Sequence, residues 1–182
     1  MQGKDGSGIK DGATEKAEAT NEYLTFTLGE EYYGVNILRV QELRGWETAT
    51  RVPNTPGHLQ GVVNLRGDIV PVYDLRQWFG MPTRKYSRET VVIVVRTVSG
   101  GSERSLGMVV DGVSDVLMLR DDEIGPTPAF DSSVPAEYIT GLAKRGSDMI
   151  MLLDLDMLAD SNHIGRDRES KSTVSRIAAA PV

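Results

Sequence analysis

The stretch at residues 61–75, GVVNLRGDIVPVYDL, returns in weaker form at residues 141–155 as GLAKRGSDMIMLLDL. The two align without a gap at an offset of 80, with Gly61 on Gly141, Asp68 on Asp148, Val70 on Ile150, Val72 on Leu152, Asp74 on Asp154 and Leu75 on Leu155. In each copy a strand-like run meets a Gly-bearing polar turn, and apolar residues then resume before Asp-Leu. That pattern is a β-hairpin leading into an Asp-capped helix. A chain carrying the unit twice is built from two related modules, and its 182 residues accommodate two small ones sharing a core. The copies differ at the turn, where Asn64 and Arg66 accompany Gly67, while Lys144 and Arg145 accompany Gly146. A shared frame speaks for folding; a difference marks where one copy has acquired a task.

The rest of the chain agrees with short strands and little helix. Residues 23–28 alternate, placing Leu24, Phe26 and Leu28 on one face and threonines on the other, so this is a half-buried strand. Gly29 turns the chain, and Tyr33, Val35 and Ile37 resume the two-residue period. The run through Leu38, Val40 and Leu43 continues extended or with one helical turn, and residues 46–57, with Pro53 and Pro56, form a loop. A helical turn fits at residues 56–60. Residues 74–80 combine a capping Asp, apolar positions at helical spacing and a terminal Gly, giving a short amphipathic helix. Residues 90–95, TVVIVV, read as a strand covered on both faces. Residues 96–104 form a Gly/Ser hairpin loop, residues 106–119 a strand pair broken near Asp111-Gly112, and residues 120–135 an irregular segment with Phe130 as its one aromatic.

About ten strands in all predict an all-β fold of two SH3-like, five-stranded antiparallel barrels on a shared core with short capping helices. The folded part is expected at 21–160, in approximate halves 21–85 and 90–160 that exchange strands. Residues 1–20 and 161–182 have too little apolar surface to offset chain entropy and read as a disordered N-terminal and a flexible C-terminal tail. Within the latter, residues 174–180 are either tail or a docking peptide.

Charge and composition exclude several functions. The net charge is −6; with −1 on the first tail and +2 on the last, residues 21–160 carry −7, a poor match for nucleic acid. No run of about 18 apolar residues and no secretory profile occurs, which predicts a cytoplasmic protein without direct membrane insertion. The absence of cysteine removes disulfides, thiolate catalysis and cysteine-based metal sites. His58 and His163 lack any metal-ligand or triad spacing, and no nucleophile elbow or phosphate-binding Gly loop occurs, so neither catalytic residues nor a cofactor or metal is expected.

Asp74, Asp154 and Asp156 resemble paired carboxylates, but their places at helix starts favour capping of unpaired backbone N–H groups. Trp78 fits the buried face of its helix, whereas Trp46 is open to a core or a ligand-facing role. Arg66 stands between Leu65 and Gly67 in a tight turn, which keeps its five donors outside the core, with Glu42 as its acidic neighbour. A solvated Arg and a surface Glu are the bland reading. An enzyme or small-ligand site in the inter-barrel groove, using Asp74 or Asp68, is the alternative from another class, with no nucleophile or metal cluster in its support.

The order of these segments, LTFTLGEEYYGVNILRVQELRG, RVPNTPGHLQGVVNLRGDIVPVYDLR, TVVIVV, GMVVDGVSDVL and EYITGL, resembles the CheW-type coupling proteins of bacterial chemotaxis from about Tyr23 to Leu158. The resemblance implies a non-enzymatic scaffold of two SH3-like barrels. Its implied partners are the cytoplasmic tip of chemoreceptors and the regulatory domain of a CheA-type histidine kinase, with weak self-association in membrane-associated arrays. Carried over by residue, the receptor-binding groove involves Val40, Glu42, Gly61, Asn64 and Arg66, with Val113 and Val116 on the facing barrel. Phe130 is implied at the kinase or array interface. A coupling protein of a non-flagellar array fits the same resemblance.

Overall fold

The computed structural model describes residues 20–127 and 134–161. The expectations for the two tails and for Phe130 lie outside these residues, apart from Thr20 and Ser161. In chain order the strands are β1 (Thr20–Leu28), β2 (Glu31–Asn36), β3 (Val40–Gly45), β4 (Leu59–Leu65), β5 (Asp68–Asp74), β6 (Val91–Ser99), β7 (Ser102–Val110), β8 (Gly112–Arg120), β9 (Ile139–Arg145) and β10 (Asp148–Leu153). A 3-10 turn at Ile37–Arg39 joins β2 to β3, helix α1 (Leu75–Trp78) follows β5, and helix α2 (155–161) follows β10.

Two five-stranded sheets result, ordered β8-β1-β2-β10-β9 (barrel A) and β3-β6-β7-β5-β4 (barrel B). Barrel B is therefore one continuous stretch inserted into barrel A, rather than half of the chain. The expected halves 21–85 and 90–160 cut through both barrels, because β1 and β2, paired with each other, join β8 and β10 rather than β3 to β5. Nor is either barrel wholly antiparallel, since β10 runs parallel to β2 and β5 parallel to β7 over three residue pairs each.

The repeated hairpins superimpose in register. Asn64 faces Ile69 as Lys144 faces Met149, and both ladders shift at the same place, beyond Gly61↔Val72 and beyond Gly141↔Leu152. Each barrel then closes through an isolated bridge, Thr50↔Val62 in B and Gly125↔Leu142 in A. Gly61 explains the spacing: its φ is 145°, and a Cβ there would collide with the Thr50 carbonyl. Gly141 keeps the same space open for Ile124 and Gly125.

Burial follows the two-residue period on both faces of β6. Ile93 and Val95 enter the core between the barrels, while Val92 and Val94 enter the interior of barrel B with Val70, Val72 and Val109. The inter-barrel core takes Leu24, Phe26 and Val35 from A and Leu75, Leu106 and Met108 from B. An aromatic column runs through it, Phe26–Tyr33–Phe79–Tyr138, with centroids 5.8, 6.2 and 6.4 Å apart.

Three local expectations change. Thr25 is fully buried, because its hydroxyl donates to the Asp115 carbonyl and accepts from its N–H, at 2.8 and 3.1 Å, where the β1–β8 ladder shifts. The loop expected at 96–104 is instead strand up to a two-residue Gly100-Gly101 turn, both with positive φ. Residues 57–58 turn without forming a helix, and β4 begins at Leu59.

Candidate functional site

The exposed turn of the β4–β5 hairpin is the strongest departure from the repeat. Asn64 Oδ1 accepts from the Gly67 N–H at 2.8 Å, closing the turn. Arg66 takes φ 54° and Gly67 φ 100°. The aligned position of the second copy, 80 residues on, is Gly146, with φ 60°. The backbone thus needs a left-handed residue in both copies, and only the first uses a side chain there, at a cost of about 1 kcal/mol relative to glycine. Arg66 is exposed and forms no ion pair among the described residues.

Glu42 is not its partner. It lies half-buried on β3, 3.6 Å from Arg44 Nε two residues along, and Arg44 also reaches Glu47 at 3.7 Å. Residues two apart share a strand face, so local geometry supplies the cation that the sequence reading sought in Arg66. Arg44 in turn faces β4 across the seam of barrel B, where a cavity of about 200 Å³ is lined by Arg44, Gly45, Thr48, Val62, Val63 and Asn64. Asn64 lines this seam and Glu42 reaches it only through Arg44, while Gly61 is buried, shaping the strand rather than touching solvent.

Val40 and Val113 come from different sheets, yet both pack against the inter-barrel core. Val116, farther along β8, is 42% exposed. Beside it Asp115 holds Arg145 of β9 at 2.8 Å, drawing the edges of barrel A together. A separate groove of about 310 Å³ lies between barrel B and α2, lined by Leu59, Val62, Pro71, Tyr73, Leu106 and Ala159 among others. None of the seven expected receptor-binding residues lines it.

The carboxylates behave largely as caps. Asp74 Oδ1 accepts from the Arg76 and Gln77 N–H groups at 2.9 and 3.3 Å, and Asp154 Oδ1 from those of Asp156 and Met157 at 3.0 Å each. Asp156 departs from this pattern, bonding to Arg39 and to the Val98 N–H instead. Asp74 is also the acceptor of Tyr86 Oη at 2.7 Å, and burial followed by this bond pushes the Tyr86 phenol up. The Tyr86 ring lies 4.2 Å from Trp46, which settles Trp46 as a partly buried packing residue; Trp78 also packs on the core. His58 stacks near Trp78 and Tyr73, with centroids 5.4 and 5.9 Å away. No group of His, Cys, Asp or Glu among the described residues is arranged to hold a metal. No described helix is long and apolar enough to cross a membrane.

Paired barrels with a marked hairpin turn have counterparts among known proteins. The family model of the CheW-like domain matches residues 22–163. The chain belongs to the CheW-like family. It is 47% identical over 143 residues to the chemotaxis protein CheW of Klebsiella aerogenes, covering 79% of this chain and 84% of that one. It is 36% identical over 140 residues to CheW of Rhizobium meliloti, covering 77% and 88%. The crystal structure of the scaffolding protein TtCheW from Thermoanaerobacter tengcongensis is similar with a TM-score of 0.69 at 32% identity, covering 77% of this chain and 92% of that one. The two barrels of this CheW-like chain are thus the SH3-like pair expected from the sequence.

Sequence reading missed Arg39, Arg76 and Asp111, which join the barrels, and took Asp156, the partner of Arg39, for a helix cap. One signal was available, because Arg76 and Asp156 occupy the same position of the repeat with opposite charge.

Proposed function

We propose that this CheW-like chain is a non-catalytic chemotaxis scaffold that couples the cytoplasmic tips of chemoreceptors to the regulatory domain of a CheA-type histidine kinase. Membership of the family and the names of its relatives support the scaffold role. The observation that carries the receptor side is Arg66: an exposed guanidinium held in a left-handed turn position where the repeat uses glycine. A side chain kept at a strained position with no ion-pair partner among the described residues is available to an incoming carboxylate.

The receptor face is built from Val40, Glu42, Asn64 and Arg66 on barrel B, with Val113 and Val116 on barrel A and Gly61 setting the depth of the seam. A helical receptor tip would lay apolar side chains against Val40, Val113 and Val116, while its acidic groups meet Arg66 at the rim. Small interfaces of this kind bind weakly one at a time and gain strength in an array. The site of action is the cytoplasm, at membrane-associated receptor arrays.

Co-sedimentation with receptor-containing membranes tests this. The wild type is expected to carry a CheA-type kinase into the pellet and raise its autophosphorylation, and Arg66→Glu is expected to do neither while keeping its fold by circular dichroism. Equal co-sedimentation and activation by both proteins would remove Arg66 from the receptor face. Failure of the wild type with cognate partners would remove the coupling function itself.

A further inference from the structure

Past residue 75 the two copies of the repeat reverse sign. Arg76 and Asp156 each follow the first residue of a capped helix, and each reaches the segment that carries the chain from one barrel to the other. Arg76 clasps Asp111, between β7 and β8: Nε lies 2.9 and 2.8 Å from the two carboxylate oxygens and Nη2 lies 2.8 Å from Oδ2. Arg76 Nη1 also donates to the Pro82 carbonyl at 2.8 Å, and the Gly29 N–H of barrel A donates to Asp111 at 2.6 Å. Asp156 makes the inverted arrangement. It accepts from Arg39 Nη2 at 2.7 Å, between β2 and β3, and from the Val98 N–H of barrel B at 2.7 Å. Each clasp thus ties the helix of one barrel to a crossing segment and to a backbone N–H of the other barrel.

Their access to solvent is unequal. The Arg76 and Asp111 side chains are 12% and 17% exposed, those of Arg39 and Asp156 36% and 35%. The first clasp is multiply bonded and nearly dry. The second rests on one ion-pair contact and one backbone N–H, with a long 3.4 Å bond from Arg39 Nη1 to the Arg96 carbonyl. Water and salt weaken such a pair to a factor of about 2–5 in an equilibrium.

We infer that Arg39 and Asp156 are positioning residues for the receptor face, fixing the angle at which the chain leaves barrel A and enters β3 of barrel B. This rests on the receptor reading above. Arg39 directly precedes Val40, and Glu42 follows two residues later, so the clasp sets where both stand relative to Val113 on the other barrel. The Arg76–Asp111 clasp on the other crossing keeps the barrels together when this one opens. Loss of Arg39–Asp156 then changes the groove without unfolding the protein.

The test uses the full chain, titrated with a receptor-tip fragment by calorimetry. Arg39→Gln and Asp156→Asn are each expected to weaken binding about threefold to fivefold, with the double variant no weaker than either single one. Arg39→Lys, which keeps a cation opposite the Asp156 carboxylate with an ammonium in place of the guanidinium, is expected to bind like the wild type. A merely stabilising pair would not move the second readout, the distance between spin labels on Ser147→Cys in barrel A and Arg88→Cys before β6, in a chain otherwise free of cysteine. Arg39→Gln is expected to widen that distribution at unchanged secondary structure, and Arg39→Lys to leave it narrow. Unchanged distances in Arg39→Gln, or equal weakening by Gln and Lys, overturn the inference. Should Arg66→Glu bind the fragment normally, the receptor reading fails on that result alone, and the label distances still decide whether the clasp sets the barrel angle.

Discussion

Replacing Arg76 by alanine leaves the Asp111 carboxylate with the Gly29 N–H and without its cation, at a position where the carboxylate is only 17% exposed. It also removes the donor to the Pro82 carbonyl. Removing one partner of a fully buried pair costs about 3–5 kcal/mol, and partial access of water to Asp111 reduces this to about 2–3 kcal/mol. For a folded unit of this size that corresponds to a drop in Tm of about 6–10 °C. The inverted pair supplies the internal control. Arg39→Ala removes the same kind of contact from a site about one-third exposed, where the expected loss is below about 1 kcal/mol. Urea and thermal unfolding of Arg76→Ala, Asp111→Ala and the double variant, beside Arg39→Ala, measure these free energies and the shift in Tm. The double variant is expected to be more stable than the sum of the single losses by about 1–2 kcal/mol, because the buried charge disappears with its partner. Equal losses for Arg76→Ala and Arg39→Ala would refute the reasoning, since solvent exposure would then not decide the strength of the clasp.

Arg66→Gly is expected to stabilise the fold by up to about 1 kcal/mol in urea unfolding, because glycine adopts the left-handed turn without strain, while weakening receptor binding; the two effects have opposite sign. Gly61→Ala and Gly141→Ala are each expected to cost more than about 2 kcal/mol by the same assay, as the added methyl collides with Thr50 in one barrel and with Ile124 in the other; a neutral result at either would dissolve the structural equivalence of the two seams. Burial, then a hydrogen bond and a nearby carboxylate, raises the phenol pKa of Tyr33 and Tyr86, through Glu31 and Asp74 respectively. With the folded pKa above the unfolded value, the contribution is intact below about pH 10 and is lost as pH rises beyond it, so phenolate absorbance of these two tyrosines should appear only together with unfolding.

Much of this molecule was legible because its signals are local. Each hairpin spans a few residues around a turn, and each cap joins a carboxylate to N–H groups two and three residues away, so 61–75 and 141–155 announced strand, turn, strand and helix by themselves. The covered strand at β6 was readable from its unbroken β-branched run, since both faces meet apolar side chains. The candidate site was legible in part, through Arg66 at a turn where the second copy has glycine.

What the sequence could not decide was partnership. A two-residue period says which face of a strand is buried, but it does not say against what, and it is silent about partners 90 residues apart such as Thr25 and Asp115. For the same reason the pairing of β1 with β8 and of β2 with β10, which makes one barrel an insertion within the other, belongs to the tertiary structure. Charge is subject to the same limit. Glu42 pairs with Arg44 instead of Arg66, and the Asp156 side chain holds Arg39 instead of capping its helix, because attraction depends on through-space distance and solvent exposure, which only the assembled fold sets. The sequence alone determined the two repeated units and their family; the tertiary structure decided how the units exchange strands and which charges hold them together.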